Sequence, residues 1–300
     1  MSRSEMFNAR SWLFAPGDSE KKMAKAADGA ADIVLLDLED AVSEARKPYA
    51  RKLVREFLVA RRSRRERLWI RINPLDGQHS LSDLAAVMQA GPGGVMLPKA
   101  RGRRDVEILD NYLSAFEAAF GHEAGSTKVV VLATETAQGM LSSGDYVGAP
   151  RLTALSWGAE DLADDLGATE NTNEDGSYTF TYELARSLCL LGAAAAGVSA
   201  IETIHGDFRD LEGLKKRAEG VRRAGFRGML AIHPAQVEVI NQAFAPSEAE
   251  IQEAREIVRL FESEPGSGTI GFNGRMLDRP HLARAYRVLE NAGAIRAPER

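Results

Sequence analysis

Eight short apolar runs, each closing on a polar or ionisable turn and each followed by a helix-like stretch, set the tightest limit on how this chain folds. The first four are Ser11–Ala15 ending at Pro16 and Gly17, Asp32–Leu38 ending at Glu39 and Asp40, Leu68–Ile72 ending at Asn73 and Pro74, and Gly94–Leu97 ending at Pro98 and Lys99. The other four are Lys128–Ala133 ending at Thr134 and Glu135, Leu152–Ser156 ending at Trp157 and Gly158, Val198–Ile204 ending at His205 and Gly206, and Gly228–Ile232 ending at His233 and Pro234. The runs are continuous rather than alternating, as strands covered on both faces should be. Between them lie amphipathic segments such as Ser80–Ala90 and Arg103–Phe120, rich in Ala, Leu, Lys and Glu. Eight such units in series predict an α/β fold of the (β/α)8 TIM barrel type, in preference to an open doubly wound sheet.

The chain continues past the eighth run, which predicts a barrel over 1–245 and a C-terminal helical extension over 246–300. Pro246 precedes a helical stretch Ser247–Ser263, with Ser247 as N-cap. A polar, glycine-rich joint follows at Glu264–Arg275, then a helical run Pro280–Ala292. Such a joint marks where the tail can leave the barrel and act as a lid.

A net charge of −5 argues against a nucleic-acid or membrane-surface binder, and Arg61–Arg67 reads as a solvated helix end before a strand. One cysteine, Cys189, sits in an apolar stretch, so no disulfide framework exists and a reducing cytoplasm is expected. No signal-peptide region opens the sequence, and no apolar run approaches the ~20 residues of a bilayer span.

Barrel enzymes carry their chemistry at the C-terminal ends of the strands. Here ionisable residues stand at those ends repeatedly: Asp37, Glu39 and Asp40, then Arg71, Lys99, Glu135, Glu160 and Asp161, and finally His205 and His233. Such charges are costly unless paired, hydrated or metal-bound. Glu135 and Asp161 fall on neighbouring strands, so their carboxylates can meet. With no Cys/His cluster for zinc, an oxygen-only pair suits Mg²⁺, with Mn²⁺ the other candidate ion. Glu39 and Asp40, with Asp37, would then hold the ion's waters and assist catalysis. Gly158 reads as a residue that makes room for substrate. Lys99 either neutralises the site's carboxylates or pairs with Glu135. His205 and His233 read as structural, His233 within a turn, and Trp157, Met96 and Met229 as packing.

Several motifs occur together: RSWLFAPG (Arg10–Gly17), VLLDLEDAV (Val34–Val42), IRIN (Ile70–Asn73), MLPKA (Met96–Ala100), ATETAQG (Ala133–Gly139), SWGAEDLADDLG (Ser156–Gly167), AIHPAQV (Ala231–Val237) and FNGRMLDRPHLARA (Phe272–Ala285). In this order they resemble the citrate lyase β-subunit/malyl-CoA lyase family, from about Arg10 to the C-terminus. The resemblance implies Mg²⁺ on Glu135 and Asp161, and Arg71 on the substrate oxygen. It implies a homotrimer or dimer of trimers whose C-terminal segment covers a neighbouring subunit's site. The aspartate of that segment, here Asp278, would be the acid/base group at the acetyl carbon, with a pKa raised by lid closure. It further implies a CoA thioester substrate, split into a 2-oxo acid (glyoxylate or pyruvate) and acetyl- or propionyl-CoA.

The phosphates of CoA need cations. Lys21, Lys22 and Lys25 lie near a predicted helix N-terminus, with Arg10 nearby in sequence, and surface pairing with Asp18 or Glu20 is the competing use of those lysines. Malyl-, methylmalyl- and citramalyl-CoA differ by a methyl group or its position, a difference of only ~1–3 kcal/mol in a pocket, so the acyl group stays open at this point. Two other readings stand beside the lyase. One is a citrate lyase β-subunit acting on a citryl-thioester of an acyl-carrier protein. The other is a pyruvate-class metal aldolase on free substrates, from which the tail carrying Asp278 distinguishes this chain.

Overall fold

A computed structural model of the protein describes residues 9–294. The chain alternates strands and helices: β1 (Ser11–Pro16), α1 (Glu20–Ala27), β2 (Ile33–Asp37), α2 (Lys47–Ala60), β3 (Leu68–Arg71), α3 (Ser80–Val87), β4 (Gly94–Leu97), α4 (Arg103–Phe120), β5 (Lys128–Leu132), α5 (Ala137–Leu141), β6 (Leu152–Ser156), α6 (Ala159–Leu166), α7 (Phe180–Ala196), β7 (Ser199–Glu202), α8 (Leu211–Ala224), β8 (Gly228–Ala231) and α9 (Pro234–Phe244). The strands pair in parallel, in sequence order, and β8 returns to β1 to close the barrel. This is the (β/α)8 fold expected from the repeat.

Burial explains why the runs are continuous. β2, β3, β4, β7 and β8 are buried at every position, between an interior and a ring of helices. The interior is filled by Trp12, Leu35, Trp69, Met96, Val130, Ala154, Ile201 and Leu230, with Trp12 and Trp69 meeting edge-on at a centroid distance of 5.2 Å. A barrel so filled is a packed core, and the open space lies in the loops above it. Cys189 is buried on α7 and burial pushes its thiol pKa up, as suits an inert thiol. Among the described residues, no helix is long and apolar enough to cross a membrane.

The Arg61–Arg67 run forms a short 3-10 turn, Arg62–Arg67, ahead of β3. Arg61 and Arg64 pair with Asp28, and Arg67 donates to the carbonyls of Gly29 and Ala31.

The chain divides into two compact units, one reaching to Asn241 and one starting at Gln242. The second contains α10 (Glu248–Ser263), β9 (Thr269–Phe272), β10 (Arg275–Asp278) and α11 (Arg279–Asn291). Ser247 caps α10 in a reciprocal capping box with Glu250. The segment read from sequence as a glycine-rich joint is instead largely an antiparallel hairpin, β9 against β10. Its reason is local: Asn273 and Gly274 both take positive φ (46° and 74°), the conformation a tight hairpin turn requires. Ile270, Phe272 and Leu277 then project into a core shared with Ala254, Ile257, Phe261, Ala285 and Leu289.

Candidate active site

The site begins at the ends of β2 and β3. Asp37, buried at the last position of β2, accepts from both Nε (2.8 Å) and a terminal nitrogen (2.6 Å) of Arg71, which ends β3. The same carboxylate accepts the backbone N–H groups of Glu39 (2.9 Å) and Ala41 (3.2 Å). Asp37 is thus fully used in aiming Arg71 and shaping the following turn. This corrects the expectation that it would hold an ion's waters. Arg71 turns its other terminal nitrogen to Glu39 Oε2 (2.9 Å) and Asp40 Oδ2 (3.4 Å) and lies over the ring of Phe14 at 4.7 Å. Burial alone would lower the guanidinium's pKa. Asp37, followed by Glu39 and Asp40, more than offsets that, and the net shift is upward.

The turn that carries Glu39 is fastened from behind. Lys47, buried at the start of α2, donates to the carbonyls of Leu38 (3.0 Å) and Glu39 (3.1 Å) and to Asn73 Oδ1 (2.8 Å). Asn73 in turn donates to Leu38 O (2.9 Å) and to Asp83 (2.7 Å), and Arg51 closes the chain on Asp83 at 2.6 Å. All three ammonium hydrogens of Lys47 are therefore matched, which a buried cation needs. Sequence reading missed this lysine, because nothing in helix periodicity separates a buried Lys from a solvated one.

Lys99 follows β4 with a backbone φ of 51°, a conformation that costs a non-glycine residue roughly 1–3 kcal/mol. The twist lets one residue touch several acids. Its N–H donates to Glu135 Oε2 at 2.8 Å. Its ammonium lies 2.7 Å from Glu39 Oε1, 2.9 Å from Asp161 Oδ1 and 3.8 Å from Asp40 Oδ1. Of the two uses weighed from the sequence, the ammonium takes the first, neutralising Glu39 and Asp161, and Glu135 is met by the backbone N–H instead of the charge.

Glu135, beyond β5, is buried against Gly158, the N-cap of α6, where a Cβ would stand 2.9 Å from Glu135 Cγ. Asp161 lies in the first turn of α6, a favourable end for a carboxylate. Burial first, and then the charges of Asp161 and Glu39, raise the Glu135 pKa well above the carboxylate range. Burial, with help from Asp40 and against Arg71 and Lys99, pushes that of Glu39 up to about 7.

Oxygen donors that are crowded, buried and mutually repelling suit a hard divalent cation. Among the described residues, no group of three or more His, Cys, Asp and Glu side chains forms a ready cage. Glu135 and Asp161 fit an ion that takes its remaining ligands from water and substrate, so the residues present are compatible with Mg²⁺. Gly158 is the contact that allows Glu135 its position.

A second feature adjoins this mouth, a cleft of about 280 Å³ whose lining includes Phe14, Lys22, Lys25, Ile232 and His233. Lys22 and Lys25 of α1 reach it, whereas Lys21 is exposed and does not line it. Arg10 is a correction. It precedes β1, at the opposite end of the strands, and its guanidinium is bound by Asp32 at 2.9 and 3.0 Å, so proximity in sequence did not bring it to the lysines. Asp18, the expected partner of those lysines, pairs with Arg46 at 2.7 Å.

Both histidines read as structural have local partners, and His233 also lines the cleft. His205 meets Asp210 (3.3 Å), and His233 Nδ1 accepts the N–H of Ala235 (3.2 Å) within its turn. Trp157 is buried and donates its indole N–H to Glu202 (3.2 Å), which Arg217 also binds at 2.6 Å. That buried pair between sheet and helices was not anticipated.

Asp278, in the second unit, is the N-cap of α11. It lies 2.5 Å from His281 Nδ1 and forms a reciprocal cap with it. The hydrogen bond from His281 holds its carboxyl below the usual range, opposite to the elevation expected of it from sequence.

A sequence profile described as HpcH/HpaI aldolase/citrate lyase matches residues 10–234. A citrate lyase subunit beta-like protein of Mycobacterium tuberculosis is 35% identical over 282 residues, covering 94% of this chain and 95% of that protein. A (3S)-malyl-CoA thioesterase of Cereibacter sphaeroides is 34% identical over 291 residues, covering 96% of each. Among solved structures, the CitE protein of M. tuberculosis in complex with magnesium, acetoacetate and coenzyme A superposes with a TM-score of 0.80 at 35% identity, covering 97% of this chain and 100% of that one.

Proposed function

Since this chain belongs to the HpcH/HpaI aldolase/citrate lyase family, we propose that it is a Mg²⁺-dependent carbon–carbon lyase that splits a β-hydroxyacyl-CoA thioester into a 2-oxo acid and a shorter acyl-CoA. The observation that carries the reading is the meeting of Glu135, Asp161 and Arg71 around one barrel mouth, with Lys99 bridging the acids of β2, β5 and α6. Glu135 and Asp161 are the residues that would hold the ion, as magnesium accompanies the related CitE protein. When bound, the ion supplies Lewis acidity to the oxygens of the 2-oxo acid half.

The chain's own groups do the rest. In cleavage the β-hydroxyl gives up its proton to solvent water and becomes the oxo group, and the carbon–carbon bonding pair passes to the thioester's α-carbon. Arg71, fixed by Asp37 and backed by Phe14, holds the oxygen whose charge changes. Asp278 of a neighbouring subunit's C-terminal segment delivers a proton to the α-carbon and removes one in the reverse direction. Leaving His281 for an apolar, closed site would raise its carboxyl toward that task. Lys22 and Lys25, with Lys21 beside them on α1, receive the phosphates of CoA along the cleft that includes Phe14 and His233. Glu39 and Asp40 face the same mouth and assist through the waters there. A homotrimer or dimer of trimers gives each tail a mouth to cover.

The test is incubation of purified protein and Mg²⁺ with malyl-, β-methylmalyl- and citramalyl-CoA, following 2-oxo acid release. Release of glyoxylate or pyruvate, lost in Glu135→Ala and Asp161→Ala, is the expected result. Cleavage of a free hydroxy acid with none of its CoA ester would replace this reading with the aldolase. Turnover that requires an added acyl-carrier protein would replace it with a citrate lyase β-subunit. The thioesterase relative favours a second reading, hydrolysis of the same thioester, which would appear as free malate without glyoxylate.

A further inference from the structure

We propose that Lys99 is a resident counter-cation of the acidic mouth, one that weakens the binding of a lone divalent ion and makes tight binding depend on the anionic 2-oxo acid. The inference rests on the reading of Glu135 and Asp161 as the ion's ligands. Its ground is the geometry of one side chain. The ammonium of Lys99 lies 2.9 Å from Asp161 and 2.7 Å from Glu39, while its own backbone N–H holds Glu135 at 2.8 Å. A dication drawn to Asp161 meets a positive charge already on that carboxylate, at a distance where like charges repel strongly in a partly buried site.

The ammonium also has somewhere to go. Glu39 Oε1 already binds it and Asp40 Oδ1 is 3.8 Å away, so it can give up Asp161 without losing all its partners. Arg71 competes for those same two acids through Glu39 Oε2 and Asp40 Oδ2, which makes the retreat costly rather than free. The strained φ of 51° keeps Lys99 committed to this position, since the backbone hydrogen bond to Glu135 depends on it. A 2-oxo acid arriving with the ion adds negative charge to the mouth and offsets the repulsion. The two ligands therefore bind with positive coupling, and each strengthens the other by the same factor. The device would keep the site from filling with metal alone in a form that closes off the substrate's place.

The experiment is a titration of the full-length protein with Mn²⁺, read by the free-ion electron paramagnetic resonance signal, with and without oxalate as a stable dianionic 2-oxo acid analogue. In wild-type protein, oxalate should tighten Mn²⁺ binding by about 100-fold, near the upper part of ordinary coupling. Lys99→Met keeps the length of the side chain without its charge. It should bind Mn²⁺ alone about 10-fold tighter than wild type, with the oxalate effect reduced to roughly 10-fold. Lys99→Gln should move in the same direction, and thermal unfolding of both variants identifies any that are not folded. If both folded variants bind Mn²⁺ alone no tighter than wild type, the inference is overturned. Glu135→Gln and Asp161→Asn separate its failure from that of the underlying reading. Their loss of Mn²⁺ binding with an unchanged Lys99→Met overturns the counter-cation alone. Wild-type affinity in both removes the ligand pair and the counter-cation together.

Discussion

Gly158 and Glu135 are in such close approach that the first carbon of any side chain on Gly158 would stand 2.9 Å from both Cγ and Oε1 of the glutamate. The backbone of Gly158, at φ −134°, is open to every residue, so the demand for glycine comes from Glu135 and not from conformation. Gly158→Ala should therefore push Glu135 away from Asp161. Turnover is expected to fall at least ~100-fold, as small misplacements at reacting centres do. Stability should fall by no more than about 1–3 kcal/mol, the usual cost of overpacking. Steady-state kinetics and thermal unfolding on the same preparation check both.

The elevated pKa of Glu39, about 7, arises from burial, with Asp40 adding to it while Arg71 and Lys99 oppose. Its sign for stability is that of a raised acid. The folded protein keeps a proton that the unfolded chain has released, so the contribution is complete below pH ~4.5 and is lost as pH climbs through about 7. In metal-free protein, Glu39→Gln should therefore gain on wild type as pH rises from about 5 to 8. Denaturant unfolding across that range is the measurement, and a constant difference between the two proteins would contradict it. Mg²⁺ should bind with release of protons near pH 7, read by calorimetry in buffers of different ionisation enthalpy.

Asp278 combines a proposed chemical role with a helix cap, and substitution can separate them. Asn caps a helix about as well as Asp, so Asp278→Asn should unfold at nearly the wild-type temperature. It should nevertheless stop exchange of deuterium into the methyl group of acetyl-CoA, while binding of pyruvate to the protein is unchanged. Undiminished exchange would remove Asp278 from the reaction.

Away from the mouth, Glu117 provides a stability test. Burial alone would raise its carboxyl, but Arg151, Thr127 and Gly125 more than offset that and pull it down to about 2. A depressed acid stabilises the fold above its unfolded pKa and loses that contribution as pH falls toward the folded value. Glu117→Gln should cost on the order of 3 kcal/mol at pH 7, because Arg151 is left buried with one fewer charge partner. The gap to wild type should narrow as pH falls from about 4.5 to about 2, followed by chemical denaturation.

The barrel was legible because a strand covered on both faces cannot help being apolar along its length. Gly94–Leu97 and Leu152–Ser156 have the limits read from the sequence, as does the helix Arg103–Phe120. The charged strand ends were legible for the same reason, since an acid after such a run is conspicuous. What each acid touches was not. Asp37 looked as free as Glu39 until the fold showed both of its oxygens spent on Arg71. Arg10 precedes the first lysine of α1 by eleven residues, and strand β1 lies between them and carries them to opposite ends of the barrel wall. Lys47 and the Glu202–Arg217 pair left no periodic trace, because their partners lie on other elements, outside the repeat of their own helix. The β9–β10 hairpin did leave a trace, the Asn273–Gly274 pair, but its strands are only four residues each and the surrounding glycines masked them.

Closure of the eight strands has a consequence for the behaviour of the protein at high concentration. A sheet that returns to its first strand offers no row of unpaired backbone groups to another chain, so the barrel gives aggregation nothing to template on. Among the described residues, the hairpin is the sheet that keeps open borders, and each of its strands is only four residues long. Among the described residues, cross-β association would have to start there, from a border too short to recruit a partner while the hairpin stays folded on its own helices.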